Sequence, residues 1–215
     1  MTTAPQPAMT SPHAFAAQFI TRWEDGGSID PKKTHSLDPE DNGNWTDGAQ
    51  GAGTLVGSNH GVTAAALAAH RGVKARDITR SIMAALTLDE AADIALALYY
   101  KRPKLDLLPW NRVTASIFDM GWGTGPAQAI KLLQRLVGTA DDGIMGPATA
   151  KAYRALVDRQ GEPFVAALWF MTRLAFYDSI IASRPVNAKY ERGWKNRSHY
   201  FTPGDPEGWW LKFAA

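Results

Sequence analysis

The stretch HAFAAQFITRWEDGG, residues 13–27, sets the class of the fold at its first element. Its apolar side chains recur at the three- and four-residue spacing of one face of an α-helix. The two glycines that follow end the helix. The sequence therefore predicts an amphipathic helix with Trp23 and Glu24 at its C-terminal end. The apolar face consists of Phe15, Ala16, Phe19, Ile20 and Trp23.

Glu24 has two features of a catalytic acid. It follows a tryptophan directly, and it lies at a helix C-terminus, where the helix dipole disfavours a negative charge. Apolar surroundings and an unfavourable dipole both favour the neutral, proton-carrying form of a carboxyl group. Glycoside hydrolysis needs such a donor, together with a second group that handles water or the cation-like transition state. The alternative interpretation is a solvated carboxylate at a helix end.

Residues 28–59 lack helical spacing and are rich in Asp, Asn, Gly and Pro. This composition predicts a long loop with a short hairpin around residues 45–55. A loop of this length is usually functional or disordered. Asp38, Glu40 and Asp41 fall within four residues and repel one another unless they are solvated, bind a cation or act chemically. The ligand spacing of an EF-hand is absent.

Most of the sequence after Gly61 again has helical spacing, which predicts a mainly α protein with a small β element. Thr87 and Glu90 form a capping-box pattern, and the apolar segment 162–183 is expected at the centre of the core. Arg173 and Asp178 interrupt that segment, which favours a buried helix over a membrane span. The tail 191–213 is expected to be irregular. The predicted helices are 62–70, 87–101, 113–122, 124–138, 146–161 and 162–183.

Composition excludes several classes of function. The chain has no cysteine, so disulfide and thiolate chemistry are absent. A formal net charge of +2, with basic residues scattered among nearly as many acids, gives no nucleic-acid footprint. The five histidines offer no HExxH pair, and no GxSxG elbow is present. We therefore expect no metal and no cofactor.

Residues 1–12 lack the basic and apolar regions of a secretory signal and are predicted to be a disordered lead. On this basis we expect synthesis in the bacterial cytoplasm, without stable membrane insertion. Action on the cell wall would then require release into the periplasm.

Four motifs in order resemble glycoside hydrolase family 108, the N-acetylmuramidases of phage endolysins and secretion-associated lysozymes. A later segment, LLQRLVGTADDGIMGPATAKAYRAL, resembles the predicted peptidoglycan-binding region that accompanies this family. Within it, DGIMGPAT either holds glycan or completes a helix–turn–helix core. The four motifs are EDGG at 24–27, DPEDNGNWT at 38–46, GTLVGSNHGVT at 53–63 and GWKNR at 193–197.

The resemblance implies a lysozyme-like helical fold, with a small β-hairpin or long loop near residues 38–60. It implies a catalytic region at 13–122 and a C-terminal peptidoglycan-binding-like region at 123–215, packed into the same globule. By the same resemblance Glu24 is the catalytic acid, with Asp41 and Thr46 in the second and third roles. Extra residues before the acidic loop leave two alternatives open, which are Asp38 for Asp41 and Thr54 for Thr46.

The implied activity is cleavage of the β-1,4 bond between N-acetylmuramic acid and N-acetylglucosamine in peptidoglycan. Trp45, Tyr100 and Trp122 are candidates for stacking on sugar rings, each with a core role as the alternative, and Asp38 is a further substrate-binding candidate. Function is expected to depend on a holin or another membrane-permeabilising partner, and the protein is expected to be a monomer. The alternative function is non-catalytic binding of peptidoglycan.

Overall fold

The computed structural model describes residues 11–27 and 31–202. Contacts divide the chain into an N-terminal unit, residues 12–102, and a C-terminal unit that contains residues 103–202. The predicted lead at 1–12 lies almost entirely outside the described residues. The predicted boundary between residues 122 and 123 stays a prediction.

The N-terminal unit is built mainly from helices. Helix α1 (Pro12–Phe19) and the π-helical turn that follows it (Ile20–Glu24) bury the predicted apolar face completely, apart from Trp23, which is half-buried. Burying each phenylalanine stabilises the fold by roughly 1.5–3 kcal/mol, and α1 packs this face against α5. The helices are α1 (Pro12–Phe19), α2 (Pro31–Thr34), α3 (Ala64–Arg71), α4 (Arg80–Ala84) and α5 (Leu88–Ala95), with π-helical turns at Ile20–Glu24 and Leu96–Lys101.

The sheet of this unit is short. Strand β1 (His35–Ser36) pairs antiparallel with β2 (Ser58–Asn59), so that His35 lies opposite Asn59. The hairpin predicted around residues 45–55 is present as a bridge between Trp45 and Leu55. The fold is therefore mainly α with a small β element, as the sequence predicts.

Buried Asn59 fixes the end of β2 to its neighbours. Its amide nitrogen donates to the carbonyl of Met83 at 3.0 Å, and its amide oxygen accepts from the Thr34 hydroxyl at 2.6 Å. A buried amide is tolerated only when it is bonded in this way. The residue that follows it, His60, is thus held by a rigid neighbour.

The C-terminal unit follows the predicted helices closely. Glycines end α7 (Pro126–Val137) and α8 (Pro147–Gln160), each of which begins with a proline, and Pro163 is the second residue of α9 (Glu162–Ser183). This is the usual asymmetry of helix termini. Its helices are α6 (Arg112–Thr124), α7 (Pro126–Val137), α8 (Pro147–Gln160), α9 (Glu162–Ser183) and α10 (Glu191–His199), with 3₁₀ turns at Leu105–Leu107 and Pro185–Tyr190.

Two expectations for this unit need correction. The tail is expected to be irregular from residue 191, but residues 191–199 form a helix. The half-buried and buried side chains of this helix, α10, pack against α9. Residues 203–213 of the tail lie outside the described part of the chain. Helix α9 is central to the core on one face only, since Phe164 and Met171 are 49% and 61% exposed.

Helix α9 is long and apolar enough to cross a membrane by length and composition alone. One such helix is weak evidence for a span, because helices of protein cores share this composition. The face of α9 that packs in the unit carries Val165, Ala166, Trp169, Arg173 and Tyr177.

The predicted capping box before α5 forms only in part. The Thr87 hydroxyl accepts the N–H of Glu90 at 3.2 Å, as a capping residue should. The carboxylate of Glu90 instead accepts two hydrogen bonds from Arg71, each 2.8 Å long. A tertiary ion pair has thus replaced the local half of the motif.

Candidate active site

Glu24 is the last residue of a π-helical turn that extends α1. The turn Ile20–Glu24 closes with the N–H of Asp25 donating to the carbonyl of Ile20 at 3.0 Å, five residues back. Such turns are rare and occur frequently at functional sites, because the additional residue reorients the side chains that follow. Glu24 is half-buried at this end.

Trp23 lies beside Glu24 in the same turn and is half-buried. The guanidinium of Arg22 lies over the Trp23 ring, 5.1 Å from its centroid, which is a cation–π arrangement. The predicted combination of an aromatic residue and an acid at the helix end is therefore present, with a cation stacked on the ring.

Asp25 and His60 form a buried hydrogen-bonded pair directly after Glu24. Asp25 Oδ2 lies 2.7 Å from His60 Nδ1, and the two side chains are 1% and 2% exposed. Because a carboxylate oxygen accepts this hydrogen bond, Nδ1 carries the proton. Among the residues that the structure describes, Asp25 Oδ1 has no hydrogen-bond partner. The carboxylate therefore depends on His60.

A tight turn brings His60 to this position. His60 and Gly61 have φ values of +52° and +72°, and Asn59 and Val62 exchange backbone hydrogen bonds of 3.1 and 2.8 Å across them. Two central residues with positive φ define a type I′ turn, the tightest connection of a hairpin. The turn places the imidazole at the end of the π-helical turn that carries Glu24.

The acidic loop uses two of its carboxylates in local turns. Asp38 Oδ1 accepts the N–H of Glu40 at 2.9 Å. Asp41 Oδ1 accepts the N–H of Gly43 at 2.8 Å and caps the 3₁₀ turn Asn42–Asn44. All three acids are exposed, so solvent relieves much of their repulsion.

Trp45 and Thr46 hold this loop together. The Trp45 indole N–H donates to the carbonyl of Pro39 at 2.9 Å. The Thr46 hydroxyl, in a residue that is 4% exposed, accepts the N–H of Thr54 at 3.0 Å. A Cβ on Gly53, whose φ is +74°, would collide with that hydroxyl. Thr46 thus has a structural contact, and its role in positioning water stays a prediction, as does the choice between Thr46 and Thr54.

The two other candidates for sugar stacking lie in different environments. Tyr100 is 6% exposed in the π-helical turn that follows α5, so most of its ring is packed. Trp122 is half-buried on α6, in the C-terminal unit. Their contact with sugar stays a prediction, and so does that of Trp45.

A second buried charge cluster lies in the C-terminal unit. Asp119 accepts from Arg173 on Oδ2 at 3.1 Å and from Arg197 on Oδ1 at 2.8 Å. Arg173 also donates to Ser116 Oγ at 2.7 Å and to the Tyr177 hydroxyl at 3.1 Å. The cluster joins α6, α9 and α10 through hydrogen bonds.

An open cavity of about 440 Å³ lies beside this cluster. Asp119, Arg173 and Arg197 form part of its wall, but they are already bonded to one another. The charged wall therefore has a structural role that does not require a ligand.

The DGIMG loop is secured by the buried side chain of Gln134. Its amide oxygen accepts the N–H of Gly143 at 2.8 Å, and its amide nitrogen donates to Asp142 Oδ1 at 2.7 Å. The N–H of Ile144 and the Gln134 amide hold the pKa of Asp142 below its usual range. These contacts support a structural role for the loop, and glycan binding there stays a prediction.

The sequence interpretation left out Asp25 and His60. The signal for them was local: an aspartate directly after the proposed acid, and a His-Gly pair flanked by residues able to form a hairpin. Within residues 11–27 and 31–202, no group of three or more His, Asp or Glu is arranged to hold a metal ion.

Comparison with known proteins adds three findings. The family model described as Glycosyl hydrolase 108 matches residues 17–125, and the one described as Predicted Peptidoglycan domain matches residues 128–199. Among solved structures, the chain is similar to the one described as Structure of Brucella abortus SagA. The identity is 23%, the TM-score is 0.62, and the match covers 94% of this chain and 96% of that one. This similarity shows a shared fold. No curated protein matches the sequence.

Proposed function

The chain belongs to the glycosyl hydrolase 108 family and carries a predicted peptidoglycan domain, so it is a peptidoglycan hydrolase, and from this premise we propose that it is an N-acetylmuramidase with Glu24 as the general acid. The bond cleaved would be the β-1,4 linkage between N-acetylmuramic acid and N-acetylglucosamine. The observation that supports the role of Glu24 is its half-buried place at the end of a π-helical turn, next to a fully buried hydrogen-bonded pair.

The proposed step begins with protonated Glu24 donating its proton to the bridging oxygen. The bond between that oxygen and the anomeric carbon of N-acetylmuramic acid breaks, and the sugar passes through an oxocarbenium-like state. Water adds to the anomeric carbon and loses a proton, so the products are two sugar ends and a reprotonated acid. Asp41 is proposed to stabilise the cation-like state or orient the water, and Thr46 to help position it.

The test compares Glu24→Gln with Glu40→Gln, the same change at an exposed acid that has no proposed role. Glu24→Gln keeps the shape and removes the proton donor, so release of reducing ends from purified sacculi should fall by roughly a hundredfold or more. Glu40→Gln should behave like wild type. Mass spectrometry of the wild-type digest should show N-acetylmuramic acid at the new reducing ends.

A folded Glu24→Gln protein that clears sacculi at the wild-type rate would refute the assignment of the acid. Binding to sacculi without new reducing ends in the wild type would favour the non-catalytic alternative. N-acetylglucosamine at the new reducing ends would instead show that the enzyme cuts the other glycosidic bond.

The second carboxylate is tested with Asp41→Asn and Asp38→Asn. Each residue makes one local turn with Oδ1, so the two changes are matched in their structural cost. Asp41→Asn should lower turnover with little effect on pelleting with sacculi, because a carboxylate facing a developing cation acts mainly in the transition state. Damage by Asp38→Asn alone would transfer the role to Asp38.

Dependence on a membrane-permeabilising partner such as a holin, and action in the periplasm, also belong to the proposal. They rest on the endolysin character of the family. A bacterial culture that expresses the protein should lose turbidity only after chloroform, and the Glu24→Gln culture should not lose it. Prompt lysis without chloroform would show that the protein reaches the wall unaided.

A further inference from the structure

The chain directly after Glu24 has a single side chain that can fix the helix end. Asp25 is buried, while Gly26 and Gly27 are exposed, have φ values of +58° and +84°, and carry no side chain. A backbone hydrogen bond of 2.7 Å runs from Gly27 back to Thr21. Together with that bond and the one from Asp25 to Ile20, the buried carboxylate of Asp25 fixes the chain that follows Glu24.

The carboxylate of Asp25 is held by His60. The 2.7 Å contact joins two side chains that are 35 residues apart and almost wholly excluded from solvent. At 2% exposure the imidazole cannot reach a polysaccharide, so a direct role in proton transfer to substrate is excluded. The pair can act on the reaction only through the residue next to it.

The backbone at His60 supports a functional reason for this contact. Residue 60 has φ +52° in a type I′ turn, a conformation that Asn and Gly adopt most readily. A glycine would suit the turn but would leave the buried Asp25 carboxylate without the contact that the imidazole makes. Strained or uncommon conformations that persist in a structure often mark functional positions.

We propose that the Asp25–His60 pair is a positioning element that fixes the direction of the Glu24 carboxyl group. The proposal rests on the proposed function, since it assumes that Glu24 is the general acid. Catalytic groups must be held within about 0.5 Å of the productive geometry, and a misplacement of about 1 Å can cost a hundredfold in rate. The Asp25–His60 pair supplies this precision at a helix end that otherwise continues into glycines.

The experiment measures kcat and KM separately, from initial rates of reducing-end release over a range of sacculus concentrations. His60→Gly keeps the turn, because Gly-Gly is a favoured type I′ sequence, and removes the side chain that contacts Asp25. Its kcat should fall about tenfold or more, with KM within about twofold of wild type. Asp25→Asn keeps an oxygen that can accept the Nδ1–H bond, so it should retain kcat within about threefold.

The matched control is Leu67→Ala, a truncation of a fully buried core residue on α3 in the same unit. It should lower the midpoint of thermal unfolding at least as much as His60→Gly does. Below that midpoint, its kcat per folded molecule should equal that of wild type. A loss of turnover that tracks unfolding in both variants would reduce the pair to a purely structural role and overturn the proposal.

The remaining outcomes separate this inference from the proposed function. Wild-type kcat in folded His60→Gly, with Glu24→Gln inactive, overturns the inference alone, as does a rise in KM with kcat unchanged. An active Glu24→Gln overturns the proposed function first. Should His60→Gly fail to fold, the double variant Asp25→Ala/His60→Gly also removes the buried carboxylate that lost its partner, and it takes the place of the single variant with the same expected loss of kcat.

Discussion

Each unit buries an aspartate that is hydrogen-bonded to basic side chains, and the two aspartates differ in their number of partners. In the N-terminal unit, Asp25 meets His60 alone, and one carboxylate oxygen has no hydrogen-bond partner in the described part of the chain. In the C-terminal unit, both oxygens of Asp119 are bonded, one to Arg173 and one to Arg197. One arrangement is an isolated pair at a helix end, and the other is a network between three helices.

The difference indicates what each cluster is for. A network with several partners shares the cost of desolvation and joins the helices that supply its members. An isolated pair adds little to packing but fixes one side chain in one direction. We therefore expect changes in the network to affect stability most, and changes in the pair to affect turnover most.

The largest expected effect on stability is that of Asp119→Ala. It leaves two guanidiniums in a buried site without their shared carboxylate, which should lower the free energy of unfolding by about 3–5 kcal/mol. Urea denaturation measures this loss, with Asp178→Ala, at an exposed partner of Lys195, as the control that should change little. A loss below about 1 kcal/mol would mean that the network does not hold the helices together.

The next effect should come from Gly53→Ala, which tests the loop around Thr46. The new Cβ would sit against the Thr46 hydroxyl in a backbone with φ +74°, so we expect a loss of about 2–3 kcal/mol. Gly48 has φ +73°, and a Cβ added there would meet no atom within 4 Å. Gly48→Ala should therefore cost only about 1–2 kcal/mol, and thermal unfolding of both variants isolates the contact with Thr46.

A smaller effect is expected for Glu90→Gln, at the surface pair of the N-terminal unit. The Arg71 guanidinium lowers the pKa of the Glu90 carboxyl, so the pair stabilises the fold while Glu90 is ionised. The variant should lose less than about 1 kcal/mol at neutral pH. This difference in stability from wild type should shrink as the pH falls below about 4, the usual pKa of a glutamate, because Glu90 is then protonated. A difference that persists at low pH would contradict the ion-pair explanation.

The smallest effect, with the opposite sign, is expected for Glu162→Gln in the C-terminal unit. Burial raises the pKa of Glu162, and Arg112, at 3.9 Å, offsets this only in part. Ionised Glu162 therefore costs stability above its usual pKa, and this cost disappears in acid. The variant should be more stable at neutral pH by less than about 1 kcal/mol, with no gain at acid pH. Urea titrations at both pH values, beside those of Glu90→Gln, check the sign.

Features that depend on neighbouring residues could be predicted from the sequence. The buried face of α1 follows from its apolar spacing, and the ends of α7 follow from Pro126 and Gly138. The mainly α class and the place of Glu24 at a helix end are confirmed for the same reason. Each of these signals lies within a few residues of the element that it defines.

Features that depend on distant residues could not be predicted. The Asp25–His60 contact joins residues far apart in sequence, and spacing alone gives no such pairing. Helix α9 is apolar all round, so its sequence does not show which face will be left exposed. The capping-box pattern predicts a local partner for the Glu90 carboxylate at the start of its own helix, but this carboxylate instead bonds to Arg71. The roles of Asp41 and Thr46 stay predictions.

The π-helical turn before Glu24 makes the direction of this residue a matter of chain length as well as of residue type. A π turn contains one residue more than an α turn, and each residue of a helix rotates the next by about 100°. Regular α-helical bonding over the same residues would therefore swing the carboxyl group away by about that angle, with every side chain at the site still present. A survey of substitutions would miss this dependence, and single-residue insertions and deletions in the turn would reveal it.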